Sequence, residues 1–323
     1  MPGGGKHILC TGGAGYIGSH TVIRLLEHGY EVSIMDDLSN TSDKVIGRLK
    51  EITGKDVPLH VINLLDFDKV KDYFKSNKVD GVIHFAAKKA VGESVAKPLM
   101  YYENNVAGTV NLLKAMVENN CKCIVFSSSA TVYKPSETPL TETAELGASN
   151  PYGQTKLMME QVLTDLHTSD KNWKVSILRY FNPVGAHPSG RIGESPEVPA
   201  NLLPFIQQVA VGRKKELSVF GNDWPTVDGT GVRDYLHVED LAEGHVKALD
   251  KLFAEPEGCC LVHNLGTGRG YSVLELVTAF EKASGKKIPY TIVGRRPGDL
   301  ASVIADPKKA NEELKWKAVK TIE

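Results

Sequence analysis

A tyrosine and a lysine lie four residues apart in the stretch N-P-Y-G-Q-T-K at residues 150–156. Asn150 suits the N-cap of a helix and Pro151 its first position, so Tyr152 is predicted to lie in the first turn. Side chains four residues apart share a helix face, which brings the Lys156 ammonium toward the phenol. The cation and the positive helix end both favour phenolate, so we expect a lowered pKa for Tyr152 and a role as general acid/base.

Hydroxyl residues end a buried-type strand upstream, in I-V-F-S-S-S at residues 124–129. Strand ends at one edge of a doubly wound sheet face the ligand crevice, so a serine there is placed to bind a hydroxyl that Tyr152 deprotonates. Without the tyrosine–lysine pair, serines that satisfy local turn groups would be the favoured interpretation. That pair is itself a weak pattern, with about one chance match expected. Tyr152 is nevertheless the only one of the eleven tyrosines that shows it.

A strand, a glycine-rich turn and a helix start follow one another in H-I-L-C-T-G-G-A-G-Y-I-G at residues 7–18. Glycine permits the backbone angles of such a turn and lets a pyrophosphate reach main-chain N–H groups. Asp36 closes the predicted second strand 18 positions after Gly18, a spacing that suits a carboxylate on the adenosine ribose. Its charge would repel a 2′-phosphate, so NAD is predicted rather than NADP. The alternative for Asp36 is a solvated turn residue before Asp37.

Short apolar runs alternate with helical patterns through the first half of the chain, as in βαβ units. The predicted strands are residues 7–10, 31–35, 59–62, 81–85, 122–126 and 174–178. The predicted helices are residues 17–27, 42–52, 68–74, 101–118, 152–167, 202–211 and 238–253. This rhythm predicts an α/β fold built on a Rossmann-type doubly wound parallel sheet.

The rhythm breaks after residue 181, where proline and glycine become frequent in residues 182–204 and again in 221–231. Loops of this length in a compact protein usually serve a binding site. We therefore predict an NAD-binding domain over residues 1–181 and a smaller α/β substrate-binding region mainly over 182–323. Chain crossovers from the second region back to the first are compatible with this division.

The bulk composition sets wider limits. The 323 residues are 41% hydrophobic and 24% charged, which suffices for a substantial core. With 38 basic and 39 acidic residues the formal net charge is -1, so the overall charge favours neither nucleic acid nor an anionic membrane as a partner. The sequence shows no apolar stretch of signal or membrane-spanning length, and its five cysteines match neither a disulfide framework nor a zinc site. We expect a cytosolic protein with reduced thiols and no metal site.

Taken together, these motifs resemble those of the extended short-chain dehydrogenase/reductases and, within them, the UDP-galactose 4-epimerases. The supporting stretches are H-F-A at residues 84–86, K-A-V-G-E-S at 89–94, and residues 127–133, 179–190, 220–223 and 228–237. The resemblance implies NAD as cofactor, a UDP-sugar as substrate and a homodimer that pairs helices 101–118 and 152–167. It further implies inversion at C4 of UDP-galactose and UDP-glucose through a 4-keto intermediate, with transient transfer of the C4 hydride to NAD.

The resemblance also implies roles for individual residues. The catalytic set would be Ser129, Tyr152 and Lys156, with Ser129 and Tyr152 on the sugar hydroxyl and Lys156 on the nicotinamide ribose. The NAD site would comprise Gly12, Gly15, Tyr16, Ile17, Gly18, Asp36, Asn40, Asn63, Leu64, Phe85, Ala86, Lys89, Asn104, Ser127, Tyr152, Lys156 and Tyr180. The UDP-sugar site would comprise Ser129, Tyr152, Asn182, Asn201, Leu202, Phe220, Arg233, Arg296, Asp299 and Val303. Arginines can clamp a diphosphate with forked hydrogen bonds, although surface salt bridges are the alternative for Arg233 and Arg296.

Three positions depart from the family pattern. Asn63 stands where an acidic residue is usual near the adenine, which predicts an altered NAD affinity. Lys134 stands where glycine is usual, so we expect a different lip on the sugar side of the site. Val303 stands where the family has a bulky tyrosine or a small residue. Its intermediate size predicts that UDP-N-acetylhexosamines are accepted to some degree.

Two other functions fit the same fold. A nucleotide-sugar 4,6-dehydratase begins with the same oxidation, but A-T-V at residues 130–132 replaces the Asp-Glu pair that such enzymes carry there. A catalytically silent NAD-binding regulator is the second alternative, because a fold does not fix a function. The presence of Ser129, Tyr152 and Lys156 together argues against it.

Overall fold

A computed structural model describes residues 4–136, 139–196, 198–296 and 298–323. The strands, in chain order, are β1 (His7–Thr11), β2 (Glu31–Asp36), β3 (Leu59–Val61), β4 (Gly81–His84), β5 (Cys123–Ser129), β6 (Lys174–Tyr180), β7 (Asn182–Val184), β8 (Leu217–Phe220), β9 (Val232–His237), β10 (Cys259–Leu265), β11 (Gly270–Ser272), β12 (Tyr290–Val293) and β13 (Ser302–Val303). Seven of them form a parallel sheet in the order β10-β6-β5-β4-β1-β2-β3. Strand β1 has β2 on one side and β4 on the other, so a ligand crevice is expected beyond the carboxyl ends of these strands.

Helices cover both faces of this sheet. In chain order, the α- and π-helices of the described residues are α1 (Tyr16–Glu27), α2 (Lys44–Thr53), α3 (Phe67–Ser76), α4 (Val91–Ala96), α5 (Pro98–Tyr101), a π-helix (Tyr102–Ala107), α6 (Gly108–Glu118), α7 (Pro151–Ser169), α8 (Leu202–Ala210), α9 (Val238–Ala254), α10 (Val273–Ser284) and α11 (Lys308–Glu313), of which α8 and α10 belong to the smaller region. Alternate residues of β1 belong to different cores: Ile8 and Cys10 pack with α1 and α9, whereas Leu9 packs with α3, α6 and α7. Both faces are therefore buried, and the predicted Rossmann-type doubly wound sheet is confirmed.

The smaller region forms around short strands after residue 181. Strands β11, β9 and β13 form one sheet, to which β7 adds by pairing with β9, and β12 pairs with β8. A separate core lies between these strands and helices α8 and α10, and it includes Ile206, Leu217, Tyr235, Leu276 and Ile288. This region places the loop after β7 beside the large sheet, where Gly185 O accepts from the Tyr16 hydroxyl and Glu194 from Lys89.

The chain returns to the first sheet after residue 237. Helix α9 packs against α1, and β10 adds to the edge of the large sheet by pairing with β6. The returning segments are the crossovers that the predicted division allowed. The boundary at residue 181 itself stays a prediction.

Most predicted elements are present, with ends displaced by at most three residues. The helical stretch predicted over residues 101–118 is present, but it begins in α5 and includes the π-helix before α6. A π-helical turn widens the backbone spiral, and here it accompanies the turning of Asn105 inward, where this side chain is buried. Strands β5 and β6 extend beyond their predicted ends because their polar last residues find hydrogen-bond partners inside the protein. In the part of the chain that the structure describes, we find no helix with the length and apolar character needed to span a bilayer.

Candidate active site

The glycine-rich turn follows β1 and lies directly against the end of β4. Gly12 has a φ of +70°, and a Cβ there would lie 2.6 Å from Ala86 N. A Cβ on Gly18 would lie 2.5 Å from Gly12 O. A side chain at either position would push the turn away from β4 or from α1. The turn leaves the first N–H groups of α1 open to an anion, which is the fit that a dinucleotide pyrophosphate requires.

Asp36 ends β2 beside this turn. Its carboxylate accepts hydrogen bonds from Ala14 N at 3.1 Å and from Leu38 N at 2.9 Å. Burial raises the pKa of Asp36, while these two N–H donors oppose the shift. The side chain is therefore buried rather than a solvated turn residue. A carboxylate has about four acceptor positions, so oxygen lone pairs remain for the hydroxyls of a ribose.

Asn63 joins the loops that follow β2 and β3. Its Nδ2 donates to Asp37 Oδ2 at 2.9 Å, and its Oδ1 accepts from Leu65 N at 2.8 Å. An acidic side chain at this position would instead face the Asp37 carboxylate and repel it. The asparagine that replaces the usual acidic residue at position 63 thus pairs favourably with Asp37.

The other residues predicted for NAD lie along the same edge of the sheet. Tyr16 and Ile17 begin α1, Asn40 lies between β2 and α2, and Leu64 follows β3. Phe85, Ala86 and Lys89 follow β4, Asn104 lies in the π-helix, Ser127 lies in β5, and Tyr180 ends β6. These positions form a continuous strip across the carboxyl ends of the strands.

Ser129 and Tyr152 meet at the end of β5. Asn150 caps α7 by accepting a hydrogen bond from Gly153 N at 2.9 Å, which places Tyr152 in the first turn as predicted. The Ser129 side chain lies close enough to the Tyr152 hydroxyl to lower the pKa of this phenol. Ser129 Oγ also accepts from Thr131 N at 3.2 Å, so this serine satisfies a local turn group as well.

The Lys156 ammonium lies inside the protein, against β5. It is buried and donates to Ser127 O at 2.5 Å, and it lies 4.9 Å from the centroid of the Phe126 ring. The predicted approach of this ammonium to the Tyr152 phenol stays a prediction. Burial lowers the pKa of Lys156 to about 7, although the Glu160 carboxylate opposes the shift.

The predicted direction of the Tyr152 pKa is wrong for the protein by itself. Burial raises the pKa of Tyr152, and the nearby Ser129 side chain acts in the other direction. The cause is the low polarity around the phenol, which disfavours the charged form more than the helix end favours it. Ionisation of this phenol therefore depends on a positive charge brought close to it.

Tyr180 is held by a histidine that the sequence did not reveal. His245 Nδ1 lies 2.8 Å from Leu241 O, which can only accept, so His245 Nδ1 carries the proton. Its Nε2 accepts a hydrogen bond from the Tyr180 hydroxyl. Burial lowers the pKa of His245 to about 4, which keeps the ring neutral and this direction of donation fixed.

A buried ion pair that the sequence also did not reveal lies directly behind the catalytic candidates. Glu160 accepts from Arg179 Nη2 at 2.6 Å, from Arg179 Nε at 3.0 Å and from Ser128 Oγ at 2.5 Å. Arg179 Nη1 donates to the Tyr133 hydroxyl at 3.0 Å, and that hydroxyl donates to Asn264 Oδ1 at 2.6 Å. The network links α7, β5, β6 and β10, and therefore fixes the strand ends that carry the site.

Asn105 in the π-helix fastens the loop after β4 to α7. Its Oδ1 accepts from Lys88 N at 2.8 Å. Its Nδ2 donates to Lys88 O at 3.0 Å and to Thr155 Oγ1 at 3.1 Å. This side chain sets the backbone position of the loop that leads into Lys89.

Four residues predicted for the UDP-sugar meet in the smaller region. Arg296 forms a forked contact with Asp299, at 2.9 Å from Nε and 3.3 Å from Nη2, and lies over the Phe220 ring at 4.6 Å. Arg233 Nη2 lies 3.5 Å from the same carboxylate. Two guanidinium groups share one carboxylate, so the cluster keeps a positive charge that suits a diphosphate. The salt bridges foreseen as the alternative are thus present within the same cluster.

The remaining substrate candidates surround this cluster. Val303 in β13 pairs with Arg233 in β9, and Asn182 in β7 pairs with Tyr235 in the same strand. Val303 also packs beside Val132 and Tyr133, which follow the catalytic strand β5. Asn201 and Leu202 lie at the start of α8. At the predicted lip, the stem of Lys134 covers Gly147, and its ammonium pairs with Glu145.

The NAD dependent epimerase/dehydratase family model matches residues 8–266. A UDP-glucose 4-epimerase of Bacillus subtilis (strain 168) is 60% identical over 318 residues, which cover 98% of this chain and 93% of the relative. A crystal structure of UDP-glucose 4-epimerase from Bifidobacterium longum in complex with NAD+ and UDP superposes with a TM-score of 0.94 at 53% identity, covering 98% of this chain and 95% of that one. A UDP-Glc/GlcNAc 4-epimerase from Campylobacter jejuni has a TM-score of 0.87 at 37% identity, covering 99% of this chain and 96% of that one.

The chain therefore belongs to the NAD dependent epimerase/dehydratase family and, within it, to the UDP-glucose 4-epimerases. The resemblance read from the sequence is confirmed, and so is the prediction of NAD as the cofactor.

Proposed function

We propose that the chain interconverts UDP-galactose and UDP-glucose by inverting C4 of the hexose, with Ser129, Tyr152 and Lys156 as the catalytic residues. The close approach of the Tyr152 and Ser129 side chains is the observation that supports this most directly. It lies at the carboxyl end of β5, on the edge of the sheet that also carries the glycine-rich turn. The relatives named above supply the substrate class.

In this proposal Tyr152 removes and returns the proton of the sugar 4-hydroxyl, and Ser129 orients that hydroxyl by hydrogen bonding. NAD, when bound, supplies reversible hydride acceptance at C4. Lys156 contributes a cation at the floor of the site, where it is held by Ser127 O. Because burial raises the pKa of Tyr152, the phenol gives up its proton readily only when positive charge lies beside it.

The uridine diphosphate would be held by the cluster of Arg233, Arg296, Asp299 and Phe220. Anchoring this part of the substrate lets remote binding energy retain a keto sugar while it turns in the pocket. Asn182, Asn201, Leu202 and Val303 would line the space between this anchor and Tyr152. The strip of residues along the strand ends would hold NAD, with Asp36 on the adenosine ribose.

The test is conversion of UDP-galactose to UDP-glucose by the purified protein in the presence of NAD. Tyr152→Phe should lower kcat by about a thousandfold while NAD remains bound, because only the ionisable hydroxyl is lost. Tyr290→Phe changes an exposed tyrosine and is the matched control, expected to keep full activity. No conversion by the wild-type protein would refute the proposal, and near-normal turnover by Tyr152→Phe would remove it from the acid/base role.

We further propose that UDP-N-acetylhexosamines are accepted to some degree. Val303 lies beside the residues that follow Ser129, and valine leaves more room there than tyrosine would. A relative from Campylobacter jejuni is a UDP-Glc/GlcNAc 4-epimerase. Val303→Tyr should abolish activity on the N-acetylated sugars and keep most activity on UDP-galactose. Absence of N-acetylhexosamine turnover in the wild-type protein would contradict this.

A homodimer in the cytosol completes the proposal. Helices α4, α5 and α7 expose Val95, Leu99 and Met158, with Leu99 81% exposed. Apolar side chains grouped on neighbouring helices are typical of an interface. Sedimentation should give a dimer for the wild-type protein and a shift toward monomer for Leu99→Glu.

A further inference from the structure

One carboxylate lies between residues proposed for the cofactor and residues proposed for the substrate. Glu194 accepts from Lys89 Nζ at 2.8 Å and from Asn201 Nδ2 at 3.2 Å. Lys89 lies in the loop after β4, on the NAD side, and Asn201 is the residue before α8, on the UDP-sugar side. The Glu194 side chain is only 11% exposed, so these two protein partners, rather than water, provide most of the contacts of its carboxylate.

Tyr16, the first residue of α1, lies near the same ion pair. The Lys89 ammonium lies 5.9 Å from the centroid of the Tyr16 ring. Burial and then the Glu194 charge raise the pKa of the Tyr16 phenol. The Tyr16 hydroxyl donates to Gly185 O at 2.7 Å, at the beginning of the loop that carries Glu194. This loop is thus fastened to the NAD side at its beginning and again at Glu194.

We propose that Glu194 is a positioning residue that couples the NAD site to the UDP-sugar site. Its carboxylate holds Lys89 in the first site and Asn201 in the second, so that each site is organised only when the other is. The inference rests on the proposed function, because it takes its two ligand sites from there. Loss of the carboxylate frees both partners and weakens both ligands together.

An ordinary surface ion pair would not have this effect. Exposed pairs contribute little because water screens them. The same loop provides such a pair, since Arg191 and Glu51 lie 3.5 Å apart and are 63% and 55% exposed. Glu194 differs from Glu51 in being largely buried and in serving two partners, and a buried acceptor of charged hydrogen bonds has a larger effect when it is changed.

The experiment compares Glu194→Gln with Glu51→Gln in the full-length protein loaded with NAD. Titration calorimetry with UDP measures the substrate anchor without turnover, and gel filtration measures how much NAD is retained. Glu194→Gln should raise the Kd for UDP about tenfold and reduce NAD retention, with kcat at saturating UDP-galactose within about twofold of wild type. Glu51→Gln should match wild type in all three measurements. Equal behaviour of the two variants, or weaker UDP binding with unchanged NAD retention, would overturn the coupling.

A double variant separates positioning from a general loss of structure. If Glu194 acts partly through Lys89, Lys89→Met combined with Glu194→Gln should reduce NAD retention no further than Lys89→Met alone. Additive losses would contradict that route. Failure of the proposed function gives a different result: the wild-type protein would convert no UDP-galactose, while the contrast between the two glutamate variants in UDP and NAD binding would remain.

Discussion

The layer behind Tyr152 and the arginine cluster of the smaller region are both built from arginine and carboxylate, but they differ in exposure. Arg179 and Glu160 are 4% and 6% exposed and form a network with Ser128 and Tyr133. Arg296 and Asp299 are 55% and 23% exposed. The first pair is sealed inside the protein, and the second faces solvent.

This difference matches two physical requirements. Proton transfer needs groups held within a fraction of an ångström, so the strand ends around Ser129 benefit from a closed network behind them. A diphosphate must enter and leave the site, so the arginines that bind it need accessible N–H groups. The free-energy cost of removing water from these guanidinium groups should be small. Arginine and carboxylate thus hold the strand ends rigid in one region, and in the other they allow the ligand to bind and leave.

The largest expected effect follows from breaking the buried pair. Glu160→Ala leaves the Arg179 guanidinium without its partner in a site that water does not reach. We expect a loss of about 3–5 kcal/mol in the free energy of unfolding, measured by urea denaturation. Glu145→Ala removes an exposed carboxylate paired with Lys134 and is the control, with an expected change below about 1 kcal/mol. Similar losses in both variants would contradict the contrast between the regions.

A double replacement sharpens the same point. Glu160→Leu with Arg179→Met removes both charges and keeps apolar volume, so most of the stability lost in Glu160→Ala should return. The Ser128 hydroxyl loses its acceptor, and the strand end beside Ser129 becomes less fixed. We therefore expect kcat to stay about tenfold below wild type while KM changes little. Recovery of full turnover would show that the network serves stability alone.

Lowering the pH should reduce the free energy of unfolding, because the buried histidines near the site resist protonation in the folded protein. Burial lowers the pKa of His84 to about 3 and of His245 to about 4, whereas in the unfolded chain both titrate near about 6.5. Below that pH the unfolded chain binds protons that the folded protein excludes, so stability falls as pH falls. Between pH 7.5 and 5.5 each histidine should cost about 1 kcal/mol of unfolding free energy. His245→Gln keeps a polar partner for Tyr180 and should show a smaller loss, and an unchanged pH dependence would refute the assignment.

The sequence predicted the parts of the site that rest on local chemistry. The glycine-rich turn, the Asn150 cap and the position of Asp36 each depend on a few neighbouring residues, and all three are where the motifs placed them. The parallel sheet followed from the alternation of apolar runs and helical patterns. Family resemblance, rather than spacing, supplied the arginine cluster.

The features of the site that the sequence did not predict depend on contacts between distant parts of the chain. Tyr133 bonds Asn264, which lies 131 residues away, and Glu194 bonds Lys89 at a separation of 105. The hydrogen bond of Lys156 to a backbone oxygen of β5 has the same origin, because helix spacing alone does not reveal it. Likewise, the Tyr152 pKa follows burial by the folded chain, which helix position alone does not reveal.

The smallest change in stability is expected for a substitution in the arginine cluster of the smaller region. Arg296→Ala removes a guanidinium that is more than half exposed, so the unfolding free energy should change by less than about 0.5 kcal/mol. Its loss should nevertheless raise KM for UDP-galactose about tenfold with little change in kcat, because the diphosphate loses one charged donor far from C4. Arg295→Ala is the control, since Arg295 is 40% exposed but stacks on Trp224 and bonds Asp223. An equal rise in KM for both variants would mean that general positive charge, rather than the Arg233–Asp299–Arg296 arrangement, attracts the nucleotide.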